Sequence, residues 1–378
     1  MQSYDVIVLG TGGVGSAAAM HLADRGLSVL GIDQFAHGHN RGSSHGQTRA
    51  IRMAYFEHPD YVPLLRRAYT LWDELEAASG QHLFHQVGLI EIGPADGIVV
   101  PGVLRAASEH DLAVEELTRD DVKRRFQGIA MPEDALAVFE QNAGFLMVED
   151  CVLAHLAEAQ LRGAQFRTDQ RVISWSAPND ETVIVKTDRE EYQAARLVVA
   201  AGAWANSMLA ELNIPLEVQR KHLHWFAASD DCYRVEHGAP TFFLELPDRS
   251  FFYGFPQTDD RGVKVAEHSG GEMVPDPSEL NRDVDPQDRQ RVEAFIAKFL
   301  PGVTLQPTKH CVCMYTMTPD DHFVVDVHPR HAQVCFAAGL SGHGFKFTPV
   351  LGEALADLAT TGQTDLPISF LNSQRFAV

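Results

Sequence analysis

The segment Gly10-Thr-Gly12-Gly-Val-Gly15 restricts this chain more than any other. It follows the β-branched run Val6–Leu9 and opens a helix-forming segment, Ser16–Arg25, with a second strand expected over Ser28–Ile32. A βαβ unit of this kind sets a helix across a parallel sheet with its N-terminus at the glycines. Gly10 permits the tight turn, Gly12 lets a pyrophosphate approach the backbone, and Gly15 lets helix and strand pack closely. The free amides and dipole of the helix start then favour phosphate. Asp33, ending the second strand, is placed to accept a hydrogen bond from a ribose hydroxyl. Its charge would repel a 2′-phosphate, which disfavours NADP. The motif alone does not separate NAD from FAD.

The remaining chain is consistent with an α/β (α+β overall) protein. Helices are expected over Asp60–Ser79, Pro101–His110, Arg119–Phe126, Cys151–Arg162 and Asp288–Phe299, with a last one ending near Thr360. Strands are expected over Phe84–Ile92, within Val172–Thr187 and over Arg196–Ala200. Lys221–Glu267 is strand-rich and aromatic. Dinucleotide-type segments recur at both ends and in the middle, so two interleaved domains are expected. A Rossmann-like cofactor domain takes residues 1–80, 145–215 and 310–378, and a mixed antiparallel β-sheet substrate domain takes 81–144 and 216–309.

Charge narrows the partners. The sum of 31 basic and 51 acidic residues, net −20, argues against nucleic acid and anionic membrane surfaces. No apolar run reaches the roughly 18 residues of a membrane span. The N-terminus lacks a basic signal-peptide start, and the five cysteines have no paired spacing, so a reducing, cytoplasmic setting is expected. Cys311-x-Cys313 without further ligand pairs is a poor zinc signal, and no metal is expected.

Three further stretches carry the chemistry: Gly42-Ser43-Ser44-His45-Gly46-Gln47-Thr48-Arg49-Ala50-Ile51-Arg52, Cys311-Val312-Cys313-Met314-Tyr315-Thr316, and Gly339-Leu340-Ser341-Gly342-His343-Gly344-Phe345-Lys346-Phe347. With the glycine fingerprint and the length, they resemble the monomeric sarcosine oxidase and N-methyltryptophan oxidase family, FAD-dependent amine oxidases of the glycine/D-amino-acid oxidase superfamily. The likeness runs along effectively the whole chain.

The resemblance implies FAD bonded covalently through Cys313, as an S-cysteinyl link that raises the flavin's oxidising power. It implies cofactor contacts from Ser43, Thr48, Arg49, Gly342, Gly344 and Lys346 besides Gly10, Gly12, Gly15 and Asp33. Arg52 and Lys346 would clamp a substrate carboxylate. His45 and Arg49 would lie against the flavin ring. Lys264 would activate O2 as a fixed cation. Alternation along Val263–His268 puts Lys264, Ala266 and His268 on one face, and His268 and Tyr253 would line the pocket near the amine. The implied reaction is oxidative demethylation of an N-methyl amino acid by a monomer, yielding formaldehyde, the primary amino acid and hydrogen peroxide.

The match has gaps. Gln47 stands where the family pattern has an aspartate, Ser44 and Met53 replace histidines, and Phe243 falls where sarcosine-specific members carry methionine. Substrate identity therefore stays open among sarcosine, N-methyltryptophan and other N-alkyl or cyclic secondary amino acids. A flavin dehydrogenase, NAD-dependent dehydrogenation and a non-catalytic flavin-binding subunit stand as alternatives.

Overall fold

In a computed structural model, residues 3–376 of the chain are described. The fingerprint strand, Ser3–Leu9, is the middle of a parallel array. From one edge its order is Gln165–Arg167, Val29–Ile32, Ser3–Leu9, Glu191–Val199 and His331–Ala338. Three antiparallel strands complete this eight-stranded sheet: the hairpin Val172–Asn179 and Thr182–Thr187, and Val324–His328.

Alternation along Ser3–Leu9 sends Val6 and Val8 to one face and Ile7 and Leu9 to the other. On the Val6 face lie the helices Gly13–Asp24, Val62–Ser79 and Thr348–Thr361, through Ala18, Leu22, Leu64, Leu351 and Leu355. The first and last of these helices cross closely enough that a Cβ on Gly352 would sit 2.6 Å from that of Ala17.

A second, nine-stranded sheet is built on a long antiparallel pair, Glu217–Ala228 with Val303–Met317, in register Lys221 to Cys313 and His224 to His310. It continues through Val263–Glu267, Phe251–Phe255 and Thr241–Glu245. Thr241–Glu245 runs parallel to Leu89–Pro94, while the other pairings are antiparallel, so the sheet is mixed as expected. Helix Pro286–Phe299 covers one face, where the Phe295 ring stacks 4.4 Å from Phe252. The opposite face presents Leu223, Trp225, Tyr253, Phe255 and Cys313. A three-stranded sheet of Thr48–Ile51, Gly144–Met147 and Phe84–His85 completes the architecture.

The expected strand Phe84–Ile92 is in fact two strands in different sheets, Phe84–His85 and Leu89–Pro94. Gly88, between them, has φ +77°, and a Cβ there would meet the Phe139 ring at 2.3 Å, so the chain turns at that point. The helix expected from Cys151 begins at Val148, which brings Glu149 into its first turn. The long helix expected from Asp60 starts as a single 3-10 turn, Pro59–Tyr61, and becomes α-helical at Val62.

A Cβ on Gly15 would lie 1.8 Å from the Gly10 carbonyl oxygen. Gly15→Ala must therefore push the first helix off its strand. We expect a loss of about 1–3 kcal/mol or more in denaturant unfolding, together with weakened cofactor retention.

Candidate active site

The glycine turn, the 42–52 loop, the Met314–Thr316 end of a long strand and the Gly339–Lys346 loop converge on one cavity of about 570 Å³. At one end the turn is tight for a local reason: Gly10 has φ +83°, and a Cβ would fall 2.5 Å from the Ala200 carbonyl oxygen. Gly12 faces the cavity, while Gly15 packs behind it. Asp33 closes this end. Its Oδ2 accepts from the Thr11 amide at 2.8 Å and hydroxyl at 3.1 Å, and its Oδ1 accepts from the Phe35 amide at 3.0 Å. Burial would raise the Asp33 carboxyl, but His39, Thr11 and Phe35 outweigh it and hold the group below its ordinary value.

The 42–52 loop is held from outside. Glu149 accepts from the Gly46 amide at 2.7 Å and the Gln47 amide at 3.0 Å. Arg49 spans the loop, donating to the carbonyls of Thr48 at 2.9 Å and Ser43 at 3.0 Å, with the Cys313 sulfur 3.2 Å away. Lys264 reaches the same loop from the sheet, and its Nζ donates to the carbonyls of Gly46 at 2.7 Å and Thr48 at 2.8 Å. Burial and then Arg49 push the Lys264 ammonium well below its usual range. His45 is pushed down to about 3, by burial and then by Arg49, and is neutral at pH 7. His45 Nε2 is buried without a hydrogen-bond partner.

The far end of the cavity is both charged and aromatic. Arg52 donates to both oxygens of Glu57 at 2.7 and 2.6 Å, and its Nε lies 3.1 Å from Glu91 without hydrogen-bonding alignment. Burial pushes Glu91 up to about 8, against the pull of Arg52. Lys346 donates to the His343 carbonyl at 2.6 Å and is brought down to about 7, by burial first and then by Arg52. His268 Nδ1 lies 3.2 Å from the Tyr315 hydroxyl, with the rings of Phe243, Tyr253 and Tyr315 around it at 5.6, 6.1 and 5.4 Å. Burial, then Lys221, pushes His268 down to about 3, so it too is neutral at pH 7.

Of the residues singled out from sequence, Gly10, Gly12, Asp33, Ser43, Arg49, Arg52, Tyr253, His268, Gly342, Gly344 and Lys346 line the cavity. His45, Thr48, Lys264 and Cys313 are buried around it and outside its lining. Glu57, Glu91 and the Tyr315 hydroxyl were not anticipated. Gln47 is a buried hub: its side chain donates to Thr258 at 2.6 Å and Asp259 at 3.0 Å and accepts from Trp225 at 2.8 Å. An acid thus remains beside the position where the aspartate is missing. Ser44 accepts from the Gly13 amide at 3.1 Å, tying this loop to the glycine turn.

A family model described as FAD dependent oxidoreductase matches residues 5–358. The chain belongs to that family. A monomeric sarcosine oxidase of Bacillus sp. (strain B-0618) is 39% identical over 99% of this chain and 97% of its own length. One from Streptomyces avermitilis is 40% identical, covering 99% of this chain and 98% of itself. An N-methyl-L-tryptophan oxidase of Salmonella dublin is 35% identical, with 99% of each chain covered. Among solved structures, NikD, titled an unusual amino acid oxidase essential for nikkomycin biosynthesis, matches at TM-score 0.86 and 25% identity over 98% of both chains. FAD dependence comes with the family. No described helix is long and apolar enough to cross a membrane.

Proposed function

We propose that this protein is a monomeric flavoprotein oxidase that demethylates small N-methyl amino acids of the sarcosine or N-methyl-L-tryptophan type. One amine, one O2 and one water would yield the primary amino acid, formaldehyde and hydrogen peroxide. The reading is carried by full-length likeness to sarcosine oxidases, joined to a cavity whose far end sets Arg52 and Lys346 beside an aromatic box.

The residues present suit FAD. Gly10 and Gly12 line one end of the cavity at the start of the first helix, and Asp33 offers a depressed carboxylate to a ribose hydroxyl. Ser43, Arg49, Gly342 and Gly344 supply polar groups to the cavity lining, and Thr48 and the unpartnered His45 ring nitrogen would act from just behind it. When bound, FAD accepts an electron pair from the amine and passes it to O2. Cys313 is the proposed covalent anchor, its sulfur already within 3.2 Å of the Arg49 guanidinium.

Substrate positioning falls to the chain. Lys346 and Arg52 bind the carboxylate, with Glu57 holding the Arg52 guanidinium in place. Tyr253, Phe243 and His268 exclude water around the N-methyl group, and a neutral His268 does not repel the amine as it becomes cationic. Lys264 is the cation for oxygen. Its depressed ammonium is favoured by a nearby anion, which is what oxygen becomes on reduction.

Oxygen uptake by the purified protein with sarcosine and with N-methyl-L-tryptophan tests the reading. We expect uptake matched by peroxide and formaldehyde with one of them; uptake with neither overturns it. Acid precipitation should leave the flavin on the wild-type protein and release it from Cys313→Ser. Free flavin from both would remove Cys313 as the anchor.

Lys346 also gives a pH dependence. Its ammonium is present below about 7 and lost above it, so a carboxylate ligand without an amine, such as methoxyacetate, should bind more weakly as pH rises through 7. Lys346→Met should bind weakly at every pH. A pH-independent wild-type affinity would contradict the clamp.

A further inference from the structure

The strand pair Glu217–Ala228 and Val303–Met317 has two different faces. One presents Leu223, Trp225, Cys311 and Cys313 on the cavity side. On the other are His222 and His224, two residues apart on one strand, and His310, the cross-strand partner of His224. Their imidazole nitrogens, one from each, all lie within 4.8 Å of one another, the only such group of possible metal ligands among the described residues. Within the group, His222 Nδ1 and His310 Nε2 are 2.9 Å apart.

His224 supplies a second, independent observation. Its Nε2 lies 2.8 Å from the Asp288 carboxylate, in the first turn of helix Pro286–Phe299. A carboxylate only accepts, so His224 presents an Nε2 proton to Asp288 and turns Nδ1 away from that partner. That Nδ1 is buried without a hydrogen-bond partner, in a side chain 1% exposed. A carboxylate that fixes a histidine tautomer from behind is the usual outer partner of a metal-bound imidazole. Two cations lie beside the group and both are paired: Arg220, on the same face, with Glu272 at 3.0 Å, and Arg291, 3.4 Å from Asp288, with Glu267 at 2.6 Å. His310 is only half-buried and leaves an approach from solvent.

We propose that His222, His224 and His310 bind one late first-row divalent cation, Zn²⁺ being suited to three imidazoles and an open fourth position, with Asp288 orienting His224. The ion would tie the two long strands together behind Cys313. It takes no part in amine oxidation and adds no redox step. Sequence spacing alone did not reveal it, because His310 reaches the His222-x-His224 pair only through strand register.

The test uses untagged, flavin-loaded, full-length protein, dialysed against a chelator and then equilibrated with Zn²⁺. Elemental analysis should find about one zinc per chain, and the unfolding temperature should rise with free Zn²⁺. His310→Gln, at the half-buried ligand, should keep its flavin and lose the zinc, and Asp288→Asn should weaken zinc binding about 10–100-fold. Wild-type protein that retains no stoichiometric zinc overturns the proposal without recourse to any variant. So does zinc retained equally by His222→Gln and His310→Gln.

Discussion

Burying cations without solvent is costly unless each finds acceptors, and this fold buries four around or beside one cavity: Arg52, Lys221, Lys264 and Lys346. They are satisfied in two ways. Lys264 and Lys221 are caged largely by backbone carbonyls. Lys264 holds Gly46 and Thr48, and Lys221 holds His268, Ser269 and Gly270 at 2.7–2.8 Å. Arg52 is instead met by the Glu57 carboxylate, with the Glu91 carboxyl beside it. Each caged ammonium pins the turn that encloses it, so the same interactions that make burial tolerable also set the shape of the cavity wall.

The two cation types suit different tasks. A carbonyl cage supplies no countercharge, so an anion arriving nearby would favour the ammonium form of Lys264 that burial and Arg49 disfavour. Within the proposed clamp Arg52 is already paired with Glu57, so its pH-sensitive member would be Lys346, which burial has brought down to about 7. Carboxylate binding would then depend on pH at one end of the cavity, while the neutral His45 and His268 keep further charge away from the centre.

Much of this was legible in the chain. The glycine fingerprint and Asp33 were readable because their constraints are local: positive φ at Gly10 and no room for a Cβ at Gly15. Arg52, Lys264 and Lys346 were reached through family resemblance, since nothing in their spacing distinguishes them from surface cations. Glu57 and Glu91 were missed for the matching reason, being two acids in a chain with 51. The Gln47–Trp225 hydrogen bond joins residues 178 apart, and the break at Gly88 depends on Phe139 across a sheet. Such features follow from tertiary packing, which local pattern does not encode.

In the proposed function this cavity brings an N-methyl amino acid to a bound flavin as its electron donor. Anaerobic titration of the purified yellow protein with sarcosine, or with N-methyl-L-tryptophan, reads that event directly, apart from any reaction with oxygen. The visible flavin absorbance should bleach fully with one of these amines and return when air is admitted. An absorbance that neither amine changes, in protein carrying its full flavin complement, would contradict it.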